Sequence, residues 1–193
     1  MTNLPSAPRA LRIEDLDKFK RFGLDAGYQT NVRRFYSPWD DEHPVIMACL
    51  NEVRTSYVSS DYGFTDEEAA AKIDTFLLDP TIYCQLTLDS SQDAGPTQVK
   101  VLQKLHHDAT GNSVATGRSE KGEIIHRKMR IINGVWLLTG STNLSMNGEQ
   151  RQDNELTVTY DPVACAEARH ILDLSHTKAL KDMAAKAAKA PHV

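Results

Sequence analysis

Two strand-like runs, residues 123–132 and 135–139, meet at Asn133-Gly134. Asn-Gly takes up the left-handed backbone of a tight hairpin turn with little strain, so this stretch is committed to two antiparallel strands. A third strand candidate follows at residues 155–160, and upstream strand-like and helix-like runs alternate. Strands are predicted at 32–36, 56–64 and 81–88. Helices are predicted at 42–53, from 65 to about 78, at 97–107 and from 162 to about 186. Thr65 is the expected cap of the second of these helices, with Glu68 reaching back to it. Ile13, Leu16, Phe19 and Phe22 place a short helix before the first strand, and residues 108–122 read as a long surface loop. The expected fold class is α/β: a single domain with a mixed β-sheet flanked by helices on both faces. Residues 1–31 are expected to be an N-terminal extension, 32–186 the domain and 187–193 a flexible tail.

Composition narrows the function classes. The chain has 193 residues, 40% of them hydrophobic, too many for disorder along its whole length. Its longest apolar runs, such as residues 45–50, fall far short of the roughly 18–20 residues that a spanning helix needs, so no integral membrane association is expected. The first twenty residues carry Arg9, Arg12, Glu14, Asp15 and Asp17 without an apolar core, which predicts a cytoplasmic protein with no secretory leader. Cys49, Cys84 and Cys165 form no Cys-x-x-Cys pair and read as buried thiols. His106 and His107 diverge on a helix, and residues 111–117 lack the Gly-Lys-Ser/Thr ending of a phosphate loop, so neither a metal nor a nucleotide cofactor is expected. Net charge is −4, yet residues 95–130 carry 7 basic and 3 acidic side chains while residues 1–94 carry 9 and 16. A basic segment in an acidic chain hints at an anionic ligand met at one place.

The chemistry concentrates in residues 124–133. Alternate residues of a strand share a face, so His126 and Lys128 are expected to project together. The hairpin then returns Gly140, Ser141, Thr142 and Asn143 close by, with Ser141 and Asn143 as neutral donors. Glu155 follows in an apolar context, where an unpaired carboxylate would be costly. Together these groups suit a phosphate diester. Any one alone reads more modestly: His126 as a structural histidine, Glu155 as a buried structural carboxylate. Arg127 and Arg130 either line a nucleic-acid groove or are simply exposed at strand ends.

His126-x-Lys128, four residues, Asn133, six residues, then Gly140-Ser141-x-Asn143 resembles the signature of the phospholipase D superfamily (the HKD motif). Within it the chain looks most like the short bacterial endonuclease branch with one copy of the motif. Residues 35–38 and 62–65 resemble that branch's first two strands and their exits, and Asn154-Glu155 falls where the family has its histidine-orienting glutamate. The likeness covers roughly residues 32–180. The family usually has Asp at the position of Asn133, a supporting residue whose replacement removes a negative charge expected near Lys128.

The resemblance implies a homodimer, because a single motif is half an active site, and two copies of His126 would meet at a two-fold axis. One His126 would attack phosphorus and the other would act as acid and base. Lys128 and Asn143 would hold the phosphoryl oxygens, Glu155 would orient His126, and Ser141 would support the network. No metal is implied. The substrate implied first is nucleic acid. A phospholipid phosphodiesterase and a catalytically weakened nucleic-acid-binding module stand as alternatives.

Overall fold

The computed structural model describes residues 9–23, 30–92, 105 and 113–189. The expected helix at 97–107 lies outside them, apart from the buried Leu105. Seven strands form one sheet: β1 (Val32–Ser37), β2 (Ser56–Asp61), β3 (Tyr83–Asp89), β4 (Ser113–Gly117), β5 (Lys128–Ile132), β6 (Trp136–Gly140) and β7 (Asn154–Tyr160). Their order is β1-β7-β6-β5-β2-β3-β4. The β2–β3 and β3–β4 pairs are parallel and the others antiparallel. Among the described residues four α-helices accompany them: α1 (Glu42–Leu50), α2 (Glu67–Leu78), α3 (Met146–Gln150) and α4 (Pro162–Lys189). None of the described helices is long and apolar enough to cross a membrane.

Strand periodicity divides the core between the two faces. Tyr57 and Ile132 join the larger cluster with Val45, Ile46 and Leu50 of α1 and Ile73 and Leu77 of α2. Their neighbours Val58 and Ile131 face Cys165 and Leu172 of α4. The mixed sheet is therefore covered on both sides, as expected. Asn133 and Gly134 have φ of 54° and 69° and turn β5 into β6.

Four local readings are corrected. Residues 113–117, expected in a loop, form the edge strand β4, because Ala115 is buried and α4 crosses closely over Gly117. A Cβ on Gly117 would lie 2.6 Å from Ala179 Cα. The expected strand at 123–132 begins only at Lys128. Ahead of it, Ile125 N–H donates to Asp89 Oδ2 (2.5 Å) and Arg127 C=O accepts from Tyr62 N–H (3.0 Å), which draws this segment across the ends of β3 and β2. The cap of α2 is Asp66, not Thr65: its Oδ1 accepts from the Glu68 and Ala69 amides. Ile13–Phe19 is a 3₁₀ helix, and although Ile13 and Leu16 reach the core, Phe22 is exposed.

Candidate active site

The register gathers the ends of five strands along one edge of the sheet. Glu155 and Asn154 of β7 face Tyr36 and Ser37 of β1, Gly140 of β6 faces Leu156, and Lys128 of β5 faces Asp61 of β2. This is also the carboxyl end of the parallel strands β2 and β3, where open α/β sheets commonly build their sites.

His126 lies just outside β5 and is exposed, with its ring 4.9 Å from that of Tyr62. Among the described residues its side chain has no hydrogen-bond partner. Lys128, in the strand, is 5% exposed. Its Nζ donates to the His126 carbonyl (3.1 Å) and sits 4.9 Å above the Tyr62 ring. Burial pulls the Lys128 pKa below the ordinary lysine value, Asp61 opposes that shift, and Arg130 adds to it. His126 precedes the strand and Lys128 opens it, and both side chains lie against the Tyr62 ring, with the Lys128 ammonium also bonded to the His126 carbonyl.

Asn143 Oδ1 accepts from Gly63 N–H (3.3 Å), which fixes the amide and leaves its NH₂ hydrogens uncommitted among the described residues. The approach is close: a Cβ on Gly63 would lie 3.3 Å from Asn143 Cγ and push on that amide. The Ser141 hydroxyl donates to Asn154 Oδ1 (2.9 Å) and accepts from Glu155 N–H (3.0 Å), so it holds the start of β7 and is not a free nucleophile. Glu155 is half-exposed. Its Oε1 accepts from Thr157 Oγ1 (2.8 Å) and lies 3.6 Å from Arg34 Nε, and no hydrogen bond joins it to His126 in the single chain.

The arginines separate. Arg127 is half-buried, donates to Ser175 Oγ and lines a groove of about 630 Å³ with Arg118, Lys178 and Lys181. Arg130 lines no groove: it is 1% exposed and pairs with Asp61 at 2.5 Å, while its Nη2 also reaches the Thr142 carbonyl (3.2 Å). Burial works against its charge, and Asp61 with Tyr57 and Glu149 more than compensates, leaving its pKa above the usual arginine value. Asn133 is likewise remote from Lys128, at the far end of β5. Its Oδ1 accepts from the Arg54 and Thr55 amides (2.9 and 3.0 Å) and its Nδ2 donates to the Glu52 carbonyl (2.6 Å). An amide serves that position better than a carboxylate, which has no hydrogen to give.

The sequence reading did not place Tyr62 beneath His126, nor the exposed Tyr36 and Trp39, which line a second groove with Ser141, Asn154 and Glu155. The only sequence signal for Tyr62 was its position beside Gly63 at a strand exit.

Comparison with solved structures agrees with this architecture. Nuc from Salmonella typhimurium, described as a phospholipase D family member, superposes with a TM-score of 0.67 at 17% identity, over 76% of this chain and 94% of that one. NucT from Helicobacter pylori gives 0.61 at 20% identity, over 78% and 96%. Phosphatidylserine synthase from Haemophilus influenzae Rd KW20 gives 0.62 at 14%, over 84% of this chain and 43% of that one. No protein-family model and no curated protein matches the sequence. The chain has the phospholipase D/nuclease-like fold, and in its single-domain extent it is similar to the Nuc branch.

Proposed function

We propose that the chain is a metal-independent phosphodiesterase, a nuclease that hydrolyses DNA or RNA through a phosphohistidine at a site shared by two copies. The observation that carries this reading is an exposed imidazole with no hydrogen-bond partner among the described residues, seated on Tyr62 with the buried Lys128 ammonium against the same ring. A nucleophile has to be accessible and uncommitted, whereas the cation that stabilises charge on phosphorus works best where water is excluded.

One His126 attacks phosphorus, forming an N–P bond as the P–O bond to the leaving nucleoside breaks. His126 of the second copy gives that oxygen its proton. It then takes a proton from water, which attacks phosphorus and returns the first imidazole. Lys128 and the Asn143 amide donate to the phosphoryl oxygens. Glu155 turns to orient the imidazole once the two copies and the substrate meet, since catalytic hydrogen bonds often tighten only in the complex. The Arg118–Arg127–Lys178–Lys181 groove supports a polyanionic substrate, and the aromatic pair Tyr36 and Trp39 supports one with unpaired bases.

The test is cleavage of plasmid and single-stranded DNA or RNA in EDTA by wild type and His126→Ala. Cleavage by wild type alone is expected. A dimer in analytical ultracentrifugation is expected with it, and a strictly monomeric active enzyme would overturn the shared site. No turnover of any nucleic acid, with head-group release from phospholipid vesicles, would overturn the nuclease reading.

A further inference from the structure

Apart from the groups above, three helical elements converge on one imidazole. His43 belongs to α1, Asp66 caps α2 and Glu149 lies on α3. His43 Nδ1 lies 2.6 Å from Glu149 Oε2 and 3.1 Å from Asp66 Oδ2, while Nε2 lies 3.1 Å from Glu68 Oε2. A ring nitrogen carries at most one hydrogen, so Nδ1 cannot satisfy two carboxylates. The surplus remains on the carboxylates: Glu149 Oε1 and Asp66 Oδ2 are buried and receive no hydrogen bond from the described residues. Glu149 has no solvent exposure at all. A carboxylate oxygen sealed from water without a donor is costly, and a cation or a proton would relieve it. Burial, with Asp66 adding its charge, raises Glu149 to about 7.

The arrangement of donors favours the cation. Asp66 spends Oδ1 on the α2 amides, leaving Oδ2 directed at His43. Glu68 opposite Nε2 is the kind of outer carboxylate that orients a metal-bound imidazole and fixes its tautomer. One ligand atom from each of His43, Asp66 and Glu149 lies within 4.8 Å of the others. Atoms held about 2.1 Å from a tetrahedral ion lie about 3.4 Å apart, so the widest pair needs to close by up to about 1.4 Å, within reach of side-chain rotation. The His43 side chain is 24% exposed, which gives an ion and a completing water their approach.

We infer that His43, Asp66 and Glu149 form a binding site for a divalent ion of the zinc class, an imidazole-carboxylate clamp that staples α1, α2 and α3 together. The clamp backs the catalytic loop without entering it: the Thr65 and Asp66 amides both donate to the Leu144 carbonyl, next to Asn143, and α3 begins at Met146. Its role is positional, and the chemistry at His126 proceeds without it.

The experiment uses untagged full-length protein stripped with EDTA and titrated with zinc chloride by calorimetry and thermal melting. Wild type, Glu149→Gln, His43→Asn and His126→Ala are compared. Wild type and His126→Ala are expected to bind about one zinc per chain and to melt higher with zinc, and either clamp variant to bind more than about tenfold more weakly. Melting without zinc shows whether each clamp variant folds, and two chemically different variants keep the comparison sound if one does not. No zinc-dependent heat or melting shift in wild type would overturn the inference, as would undiminished binding in both clamp variants. Because His126→Ala is expected to keep the ion, failure of the nuclease reading and failure of the clamp are read separately.

Discussion

Arg130→Met offers the sharpest test of how the site is supported. Arg130 and Asp61 are each 1% exposed and 2.5 Å apart. Removing the guanidinium leaves Asp61 buried with the Ser59 hydroxyl and the neighbouring Lys128 to offset its charge and frees the Thr142 carbonyl. Breaking one side of a buried pair costs about 3–5 kcal/mol. For a chain of this size each kcal/mol lowers the melting temperature by about 2–4 °C, so a fall of about 6–20 °C is expected by circular dichroism. Asp61→Leu/Arg130→Met should recover at least half of that loss, because apolar replacement of a whole buried pair is commonly neutral or stabilising. The double variant has a second signature. Lys128 already lies below its ordinary pKa through burial and would lose the Asp61 charge that opposes the shift, together with the smaller Arg130 charge that adds to it. On the proposed mechanism cleavage needs the protonated ammonium, so the alkaline limb of its pH profile should move to lower pH. A single variant melting within about 2 °C of wild type, or a double variant no more stable than the single, would refute the reasoning.

Asn133→Asp should cost about 1–2 kcal/mol in urea unfolding, because no hydrogen remains for the Glu52 carbonyl, and should leave cleavage unchanged. Glu42, fully buried, is raised to about 7 by burial, so its proton belongs to the folded state. Its stabilising contribution is full below the ordinary glutamate pKa and is lost as pH rises through about 7. Urea midpoints should therefore fall over that window in wild type and stay flatter in Glu42→Gln. Trp39→Ala should raise KM for single-stranded substrates several-fold with little change in kcat, since a stacked base contributes about 1–3 kcal/mol to binding.

Much of this fold was readable because its elements announce themselves locally. Asn133-Gly134 marks the hairpin, and Asp79-Pro80 ends α2. The edge strand β4 does not, because Ser-Val-Ala-Thr-Gly is short and its burial comes from α4, far away in sequence. The site divides in the same way. Motif spacing brought His126, Lys128, Ser141, Asn143 and Glu155 to one sheet edge, but it said nothing of which cations are buried. Lys128 and Arg130 look alike on paper, and although β2 pairing sets Lys128 opposite Asp61, it is the diagonal Arg130 that pairs with that carboxylate while Lys128 bonds the His126 carbonyl. His43, Asp66 and Glu149 carry no spacing signal, since three separate helices bring them together.

The interval between Lys128 and Asn133 is the length of β5, five residues, or roughly 16 Å at strand pitch. The motif is thus a gauge with the candidate site at one end and an anchor at the other. Substitutions along it are survivable, but a change in count is not. Inserting or deleting one residue would swap the strand's two sides, sending Lys128 toward Val58, Cys165 and Leu172 and setting Met129 beside Tyr62. Variation in such chains should therefore respect the ruler more strictly than the letters written on it.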